Sequence, residues 1–333
     1  MSIDATSFVI SPEAPAKPQA NRYKQVVLKI CVLLGSVVFT LVVSEIALRI
    51  FYPGYSPLFL DIYQMDQSGV LMLRPNIERR HLSNEFDVTV KTNAEGLRDR
   101  VTPVPDKNGR VLGIGDSMAF GWGVELEQSY YYLAEESLRP NEIQIVKAGI
   151  PATGTIDQFK WLRHYGDAYK PRAVVLSFCV FNDFTDNLAG GVSKRFTVRD
   201  GLMVWFNEEN RSKLSVSALN EKIKRSSLLA QKAAQVWWYF DTKIVNPEDR
   251  TNPGLRGQAL LENGQIHLKQ LTPDAEKAIA VTLTALDEIN QWCEERKIPL
   301  LLLVIPHSFQ VYQWELSKWE QAYHLNDTDL DLV

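Results

Sequence analysis

The tripeptide Gly115-Asp116-Ser117 follows an apolar run at 111–114 and precedes two further glycines, Gly121 and Gly123. A serine between a buried strand and a helix places its hydroxyl at the carboxyl edge of a parallel sheet, where substrates of open α/β folds bind. There the hydroxyl can act as a nucleophile. Because Gly, Asp and Ser also favour ordinary turns, the tripeptide alone leaves a plain loop as the alternative.

Two later segments also end an apolar run at a glycine or a polar residue. The run at 143–148 leads into Gly149 and a Gly-rich loop, and the run at 172–178 leads to Asn182. Because parallel strands end side by side, we expect Ser117, Gly149 and Asn182 to converge on one site. The serine would attack an acyl carbonyl there. The backbone N–H groups of Ser117 and Gly149 and the side-chain amide of Asn182 would hold the oxyanion.

With these three blocks, the sequence resembles the SGNH hydrolase superfamily, also called the GDSL-type esterases. The resemblance rests on Ser117, on Gly149 and on Asn182-Asp183, and it covers roughly residues 90 to 310. The stretch 92–99 is similar to the lead-in of membrane-anchored bacterial members. The resemblance implies a three-layer α/β/α, flavodoxin-like fold with a parallel sheet.

The sequence departs from the family pattern in two places. Val180 occupies the glycine position of the usual Gly-x-Asn-Asp block, and the Asp-x-x-His block that supplies the family's catalytic base is missing. Of the five histidines, only His307 lies just after a predicted strand of the sheet, at 300–305. That strand resembles the fourth of the family. We therefore expect His307 to line a loop, keep it as the alternative base, and expect the chain to be incomplete at its C-terminus.

The composition excludes several other classes of protein. The 333 residues carry a net charge of −4 without a basic stripe, so nucleic acid is not an expected partner. The three cysteines fit neither a metal site nor a disulfide framework. Asp183 and Asp186 lie in one loop but do not give a full ligand set. We expect no metal and no cofactor.

The N-terminal segment reads as a membrane anchor. Residues 26–48 are apolar except for Lys29 and Glu45, and they reach spanning length if these two charges lie at the interfaces. A cleaved signal peptide and a buried core helix are the alternatives. Basic residues precede the span, which predicts a single-pass membrane protein with a cytoplasmic N-terminus and an extracytoplasmic, periplasmic domain.

The chain divides into four predicted parts: a disordered cytoplasmic tail at 1–21, a transmembrane signal-anchor at 22–52, a linker with a lead-in hairpin at 53–108, and a hydrolase-like domain at 109–333. Apolar and polar residues alternate at 86–90, and this pattern predicts the hairpin. An excursion at 186–271 carries Trp205 and the aromatic run 237–240, and is predicted to be a helical insertion with a β-like flap around 260–268. Its aromatic residues would pack on the domain or form a lid.

Helix starts are predicted from capping residues. Ser129 and Thr155 are candidate N-caps, and Thr272-Pro273 has the cap and first-turn proline in the preferred order. The last of these helices is expected to bury a single stripe of five side chains. They are Ile279, Leu283, Leu286, Ile289 and Cys293.

We therefore expect an ester hydrolase, either an esterase or an O-acetylesterase, with Ser117 as nucleophile. Its substrate would be an acyl ester, with acetylated envelope polysaccharide as the first expectation and lipids as the second. An acyltransferase would use the same serine. A protein that keeps the fold without catalysis and uses it for binding is the alternative from another class.

Overall fold

A computed structural model describes most of the chain. The described residues are 19–52, 59–83, 85–99, 110–199, 202–205, 227–230, 232–233, 236, 265–323 and 330–331. The strands are β1 Tyr63–Met65, β2 Leu71–Leu73, β3 Glu78–Leu82, β4 Asp87–Lys91, β5 Arg110–Gly115, β6 Gln144–Gly149, β7 Pro171–Cys179, β8 Phe196–Arg199, β9 Leu202–Trp205 and β10 Leu300–Ile305. The α-helices are α1 Gln19–Phe51, α2 Ser117–Phe120, α3 Tyr130–Leu138, α4 Thr155–Tyr165, α5 Asp183–Leu188, α6 Val192–Arg195, α7 Pro273–Glu295, α8 Ser308–Val311 and α9 Gln313–Tyr323.

Four parallel strands form the central sheet in the order β10-β7-β5-β6. Each corresponds to an apolar run in the sequence, and each predicted boundary is met to within one residue. Continuous apolar runs are expected for parallel strands because both faces of such a sheet are covered. The predicted α/β fold with a parallel sheet is confirmed.

Alternate residues of the central strands face two different helical layers. One face, exemplified by Leu112 and Ile114, packs against α4 and α7 in the main hydrophobic core. The other face, exemplified by Val111, packs against α3 in a smaller cluster that includes Tyr131. The molecule thus has three layers, and full burial of a side chain such as Leu112 contributes about 1.5–3 kcal/mol.

Helix α7 begins as its sequence predicts but buries a different face. The Thr272 hydroxyl accepts a hydrogen bond from the Ala275 N–H at 3.2 Å, so the predicted cap is confirmed. The predicted stripe is wrong at Leu283, which is 54% exposed. The buried face consists mainly of small side chains, because α7 packs closely against α4 and α5. Its buried residues are Ala275, Ala278, Thr282, Ala285, Ile289, Trp292 and Cys293.

Of the other two predicted N-caps, Ser129 is confirmed as the N-cap residue of α3, whereas Thr155 is wrong by one residue. Helix α4 does start at Thr155, but its N-cap is Gly154. Helix α3 follows Ser129, whose hydroxyl donates to the Leu126 carbonyl and makes no cap hydrogen bond. A serine hydroxyl can bond to either neighbouring turn, which sequence spacing does not resolve.

Three antiparallel strand pairs, β1–β2, β3–β4 and β8–β9, lie outside the central sheet among the described residues. The pair β3–β4 confirms the hairpin predicted from alternation at 86–90. The pair β8–β9 lies in the excursion where helices were predicted, and Trp205 ends it. The aromatic run 237–240 and residues 260–264 of the predicted flap lie outside the described residues, as do residues 1–18 of the predicted tail.

Helix α1 is the one described helix that is long and apolar enough to cross a membrane. Within Tyr23–Phe51, the most apolar stretch of 18 residues has a mean hydropathy of 2.7, and none of that stretch is buried in the protein. A signal sequence has the same length and composition.

Candidate active site

Ser117 is the first residue of helix α2, directly after strand β5. Asp116 is the N-cap of this helix, and its Oδ1 accepts a hydrogen bond from the Met118 N–H at 2.8 Å. Gly121 ends the helix in the left-handed region with φ of 78°, which favours glycine. The helix therefore starts at the serine itself and holds Ser117 at the carboxyl edge of the sheet.

Gly149 ends strand β6 opposite Gly115 of β5, and the Ile150 N–H donates to the Gly115 carbonyl at 2.9 Å. A Cβ added to Gly149 would lie 2.3 Å from the Phe120 backbone nitrogen. Only a glycine lets helix α2 approach β6 this closely. Gly149 thus packs directly against the helix of Ser117, and its role as an oxyanion donor stays a prediction.

Asn182 follows strand β7 and precedes helix α5. Its Nδ2 donates to Asp186 Oδ2 at 2.9 Å, and its amide favours the charged form of the nearby Asp116 carboxyl, which opposes the rise in the pKa of Asp116 that burial causes. Asp186 in turn accepts from the Arg195 guanidinium at 2.6 Å. A hydrogen-bonded chain therefore links Asn182 to Asp186 and onward to Arg195 of α6. The sequence placed Ser117, Gly149 and Asn182 at one edge, and the structure has all three there.

Buried carboxyl groups surround this edge of the sheet. Burial raises the pKa of Asp116 to about 6, although the Met118 N–H and Asn182 favour its charged form. Burial and the nearby Asp116 carboxyl raise the pKa of Asp183 well above its usual value, while Asp183 Oδ2 accepts from the Cys179 N–H at 2.7 Å. Like charges this close resist joint ionisation, so the pair holds a proton at acidic pH. Among the described residues, no group of three or more His, Cys, Asp or Glu side chains could hold a metal ion.

Arg98 donates hydrogen bonds to the same turn. It was not identified from the sequence as a site residue. Its guanidinium is 1% exposed and donates to the carbonyls of Phe120, Gly121 and Val124 at 3.1, 2.6 and 2.7 Å. Burial lowers the pKa of Arg98 to about 10. Arg98 thereby fixes the C-terminal end of the helix that starts at Ser117. It lies in the stretch 92–99 that resembled a family lead-in, which was its one signal in the sequence.

A buried hydroxyl cluster supports the strand end from the α3 side. The hydroxyls of Tyr130 and Tyr131 each lie 2.7 Å from the Ser177 hydroxyl. Ser177 pairs with Gly115 across β7 and β5, and a Cβ on Gly115 would lie 2.9 Å from the Ser177 Cβ. The cluster therefore packs directly under the residue that turns the chain toward Ser117.

His307 lies after β10, on the far side of β7 from β5. Its ring stacks on that of Phe309, with 3.8 Å between the ring centroids. The ring centroids of Phe181 and His267 lie 5.0 Å and 6.3 Å from that of His307. Burial and the nearby His267 lower the pKa of His307 to about 4. Its Nε2 is buried, with no hydrogen-bond partner among the described residues. Two strand spacings separate β10 from β5, which amounts to about 10 Å. The structure thus places His307 among aromatic side chains.

Comparison with known proteins was made at the levels of sequence and of structure. No family model matches the chain. No curated protein matches it either. Solved structures do match: an esterase AlinE4 mutant has 14% identity and a TM-score of 0.30, with 66% of this chain and 71% of that chain covered. TesA has 22% identity and a TM-score of 0.22 over 25% of this chain and 45% of that chain.

A GDSL-like lipase from Bacteroides thetaiotaomicron has 10% identity and a TM-score of 0.21, with 59% of this chain and 68% of that chain covered. AlinE4 itself is described as an SGNH-hydrolase family esterase, and this chain spans 46% of its length. The matched structures are SGNH-type hydrolases. Because the identities and scores are low, the case for this family rests on the three sequence blocks and on the sheet edge where they meet.

Proposed function

We propose that this protein is an SGNH-type serine hydrolase of ester bonds. The observation that supports this most is that Ser117, Gly149 and Asn182 lie at the carboxyl ends of three adjacent parallel strands of the central sheet. An amide beside a serine at the first turn of a helix suits an oxyanion that forms on the serine-bound carbon.

In the proposed reaction, the Ser117 Oγ forms a bond to the acyl carbon and the alcohol leaves with a proton. Water then cleaves the acyl-serine, which releases the acid and restores the hydroxyl. The backbone N–H groups of Ser117 and Gly149 and the Asn182 amide would stabilise the oxyanion in both steps. The candidate for the general base that takes the Ser117 proton is His307, which follows strand β10 of the sheet.

We further propose that α1 anchors the domain to a membrane, with the N-terminus in the cytoplasm and the domain on the extracytoplasmic side. The support is the length and apolar surface of α1 together with the basic residues Lys24 and Lys29 near its start. In that location, an acetylated envelope polysaccharide is the substrate class that we propose first. The intact protein should sediment with membranes; release of a soluble form that lacks residues 1 to about 50 would contradict the anchor.

A second candidate is a binding protein that keeps the fold without catalysis. The observation that favours it is the distance of His307 from the turn of Ser117 and its packing among aromatic side chains. The two candidates differ in whether Ser117 reacts.

The test uses the full chain with p-nitrophenyl acetate and with a fluorophosphonate probe that modifies reactive serines. Ser117→Ala should abolish labelling and lower turnover by about a thousandfold or more, because no other group replaces the nucleophile. Ser137→Ala, on the exposed side of α3, is the matched control. Labelling that persists in Ser117→Ala would refute the proposal. Loss of turnover in His307→Ala as well would assign the base to His307.

A further inference from the structure

The exposure of α1 changes abruptly at Ser44. Every residue from Tyr23 to Val43 is exposed, a length of about 30 Å at the helical rise, which matches the hydrocarbon thickness of a bilayer. From that point to Tyr52, the residues that are partly covered are Ser44, Glu45, Ala47 and Leu48. These residues lie on one side of the helix, because their spacing follows its turns. The protein thus covers α1 just where the apolar span ends.

Glu45 is the centre of this contact. Its Oε2 accepts from the Ser227 hydroxyl at 2.8 Å and from the Leu229 N–H at 3.0 Å, and its Oε1 accepts from the Leu228 N–H at 3.1 Å. The Ser227 hydroxyl itself accepts from the Ala230 N–H at 3.1 Å. The chain is helical at 228–230, 232–233 and 236.

The first three N–H groups of a helix have no partner within that helix, and here all three are satisfied. Ser227 serves the third as an N-cap, and Glu45 serves the first two from a different helix. A carboxylate is also favoured at the positive end of a helix. Glu45 therefore has a specific structural partner about 180 residues away in sequence.

The surface of this second helical stretch resembles that of an interfacial element. Val236 is 68% exposed, and it shares a face with Leu229 and Ala233 at helical spacing. The Lys232 ammonium lies 5.4 Å from the ring centroid of Tyr52. Lysine and tyrosine side chains suit the boundary between headgroups and acyl chains. The two contacts place this stretch next to the end of α1 that carries Glu45 and Tyr52.

We propose that Glu45 fastens residues 227–230, with the helical residues 232–233 and 236, to the membrane anchor, so that these residues lie in the interfacial layer of the bilayer and contact lipid through the face of Val236. The inference rests on the proposed anchor. It also makes α1 a retained part of the folded protein, because cleavage of α1 would expose the N–H groups that Glu45 satisfies.

The experiment labels the full-length protein with an environment-sensitive fluorophore at Val236→Cys in a Cys31→Ser background. The other two cysteines, Cys179 and Cys293, are buried and do not compete for the label. The protein is reconstituted into phosphatidylcholine vesicles that carry a quencher either near the headgroup or deep in the acyl chain. We expect the shallow quencher to quench the label more strongly than the deep one.

Adding Glu45→Ala should reduce the quenching to the level of a soluble label while the protein still sediments with the vesicles. Glu45→Gln, whose amide oxygen can still accept a hydrogen bond, should restore part of it. Glu78→Ala, at a glutamate whose side chain is 64% exposed on β3, is the matched control and should quench normally.

Two outcomes would overturn the inference, and they are distinguishable. A protein that does not sediment with vesicles would refute the anchor as well. A protein that sediments but shows an unquenched label, or equal quenching with and without Glu45, would leave the anchor and refute the contact with lipid.

Discussion

The turn of Ser117, after the inner strand β5, and the outer strand β10 differ in how far their side chains are buried and hydrogen-bonded. At the turn of Ser117, the buried Arg98 guanidinium donates to three backbone carbonyls and Asp116 Oδ1 accepts from the Met118 N–H. On the outer strand β10, the side chains of Leu301 and Val304 are 61% and 52% exposed. The turn of Ser117 is thus held by buried hydrogen bonds, while side chains of the strand that leads to His307 are exposed. Substitutions at the two places should differ accordingly.

The largest loss of stability is expected at Arg98. Arg98→Met keeps much of the side-chain volume but leaves three carbonyls without their donor, which should lower the free energy of unfolding by about 3–5 kcal/mol. Denaturant unfolding measures this. Arg80→Met removes an exposed arginine that pairs with Asp87 and should cost far less. Equal losses for the two variants would show that Arg98 does not support the turn.

Asn182→Ala tests the proposed oxyanion site directly. Loss of one oxyanion donor should lower kcat for p-nitrophenyl acetate by about a hundredfold or more with little change in folding. Asn290→Ala, at an exposed position of α7, is the control for a neutral amide removed elsewhere. A near-normal kcat in Asn182→Ala would remove this side chain from the mechanism.

The acidity of Asp116 should appear as a pH dependence of stability. Its pKa is raised to about 6, so the folded state favours the protonated form. Its contribution is present near pH 4 and is lost as the pH rises through about 6. Asp116→Asn retains a capping side chain and should remove a pH-dependent term on the order of 2 kcal/mol between these values. His81 and His307, whose pKa values burial lowers to about 4, act in the opposite direction.

The comparison between wild type and Asp116→Asn isolates the aspartate because the histidines are common to both proteins. Unfolding curves at several pH values between 4 and 7 provide the measurement. A difference between the two proteins that does not change across this range would contradict the raised pKa.

The smallest effect is expected on β10. Leu301→Thr should change the free energy of unfolding by about 0.5 kcal/mol or less, because the side chain is already exposed. Leu112→Ala, in the buried part of β5, should cost about 2–5 kcal/mol. Thermal unfolding of the two variants gives the contrast. A loss at Leu301 as large as that at Leu112 would show that β10 is covered in solution.

The sequence was most informative where one physical signal dominates. Buried parallel strands require continuous apolar runs, so β5, β6, β7 and β10 could be located to within one residue. Ser117 and Asn182 could be placed at one edge because each follows such a run. Helix α7 shows where this fails. Close packing on α4 and α5 selects alanines, whereas a stripe drawn through the largest apolar residues included the exposed Leu283.

The supporting polar contacts could not be predicted. Arg98 bonds to carbonyls 22 to 26 residues away, and Tyr131 bonds to Ser177 across 46 residues. Such contacts leave no periodic pattern, because they join side chains whose positions are fixed by the packing of separate elements. The Glu45 cap is a further example, since in the sequence Glu45 is only an interruption of an apolar run.

Arg98 precedes the central sheet in sequence but supports the turn of Ser117, which constrains where the protein can be truncated for expression. Residues 59–99 contribute Phe59, Ile62 and Leu71 to the same core as the central sheet, and the Thr89 N–H donates to Glu125 at 2.9 Å. An expressed fragment that began at β5, the first strand of the central sheet in sequence order, would lack both this packing and Arg98. A soluble fragment for crystallisation should therefore start upstream of Phe59, and the apparent linker should be treated as part of the folding unit.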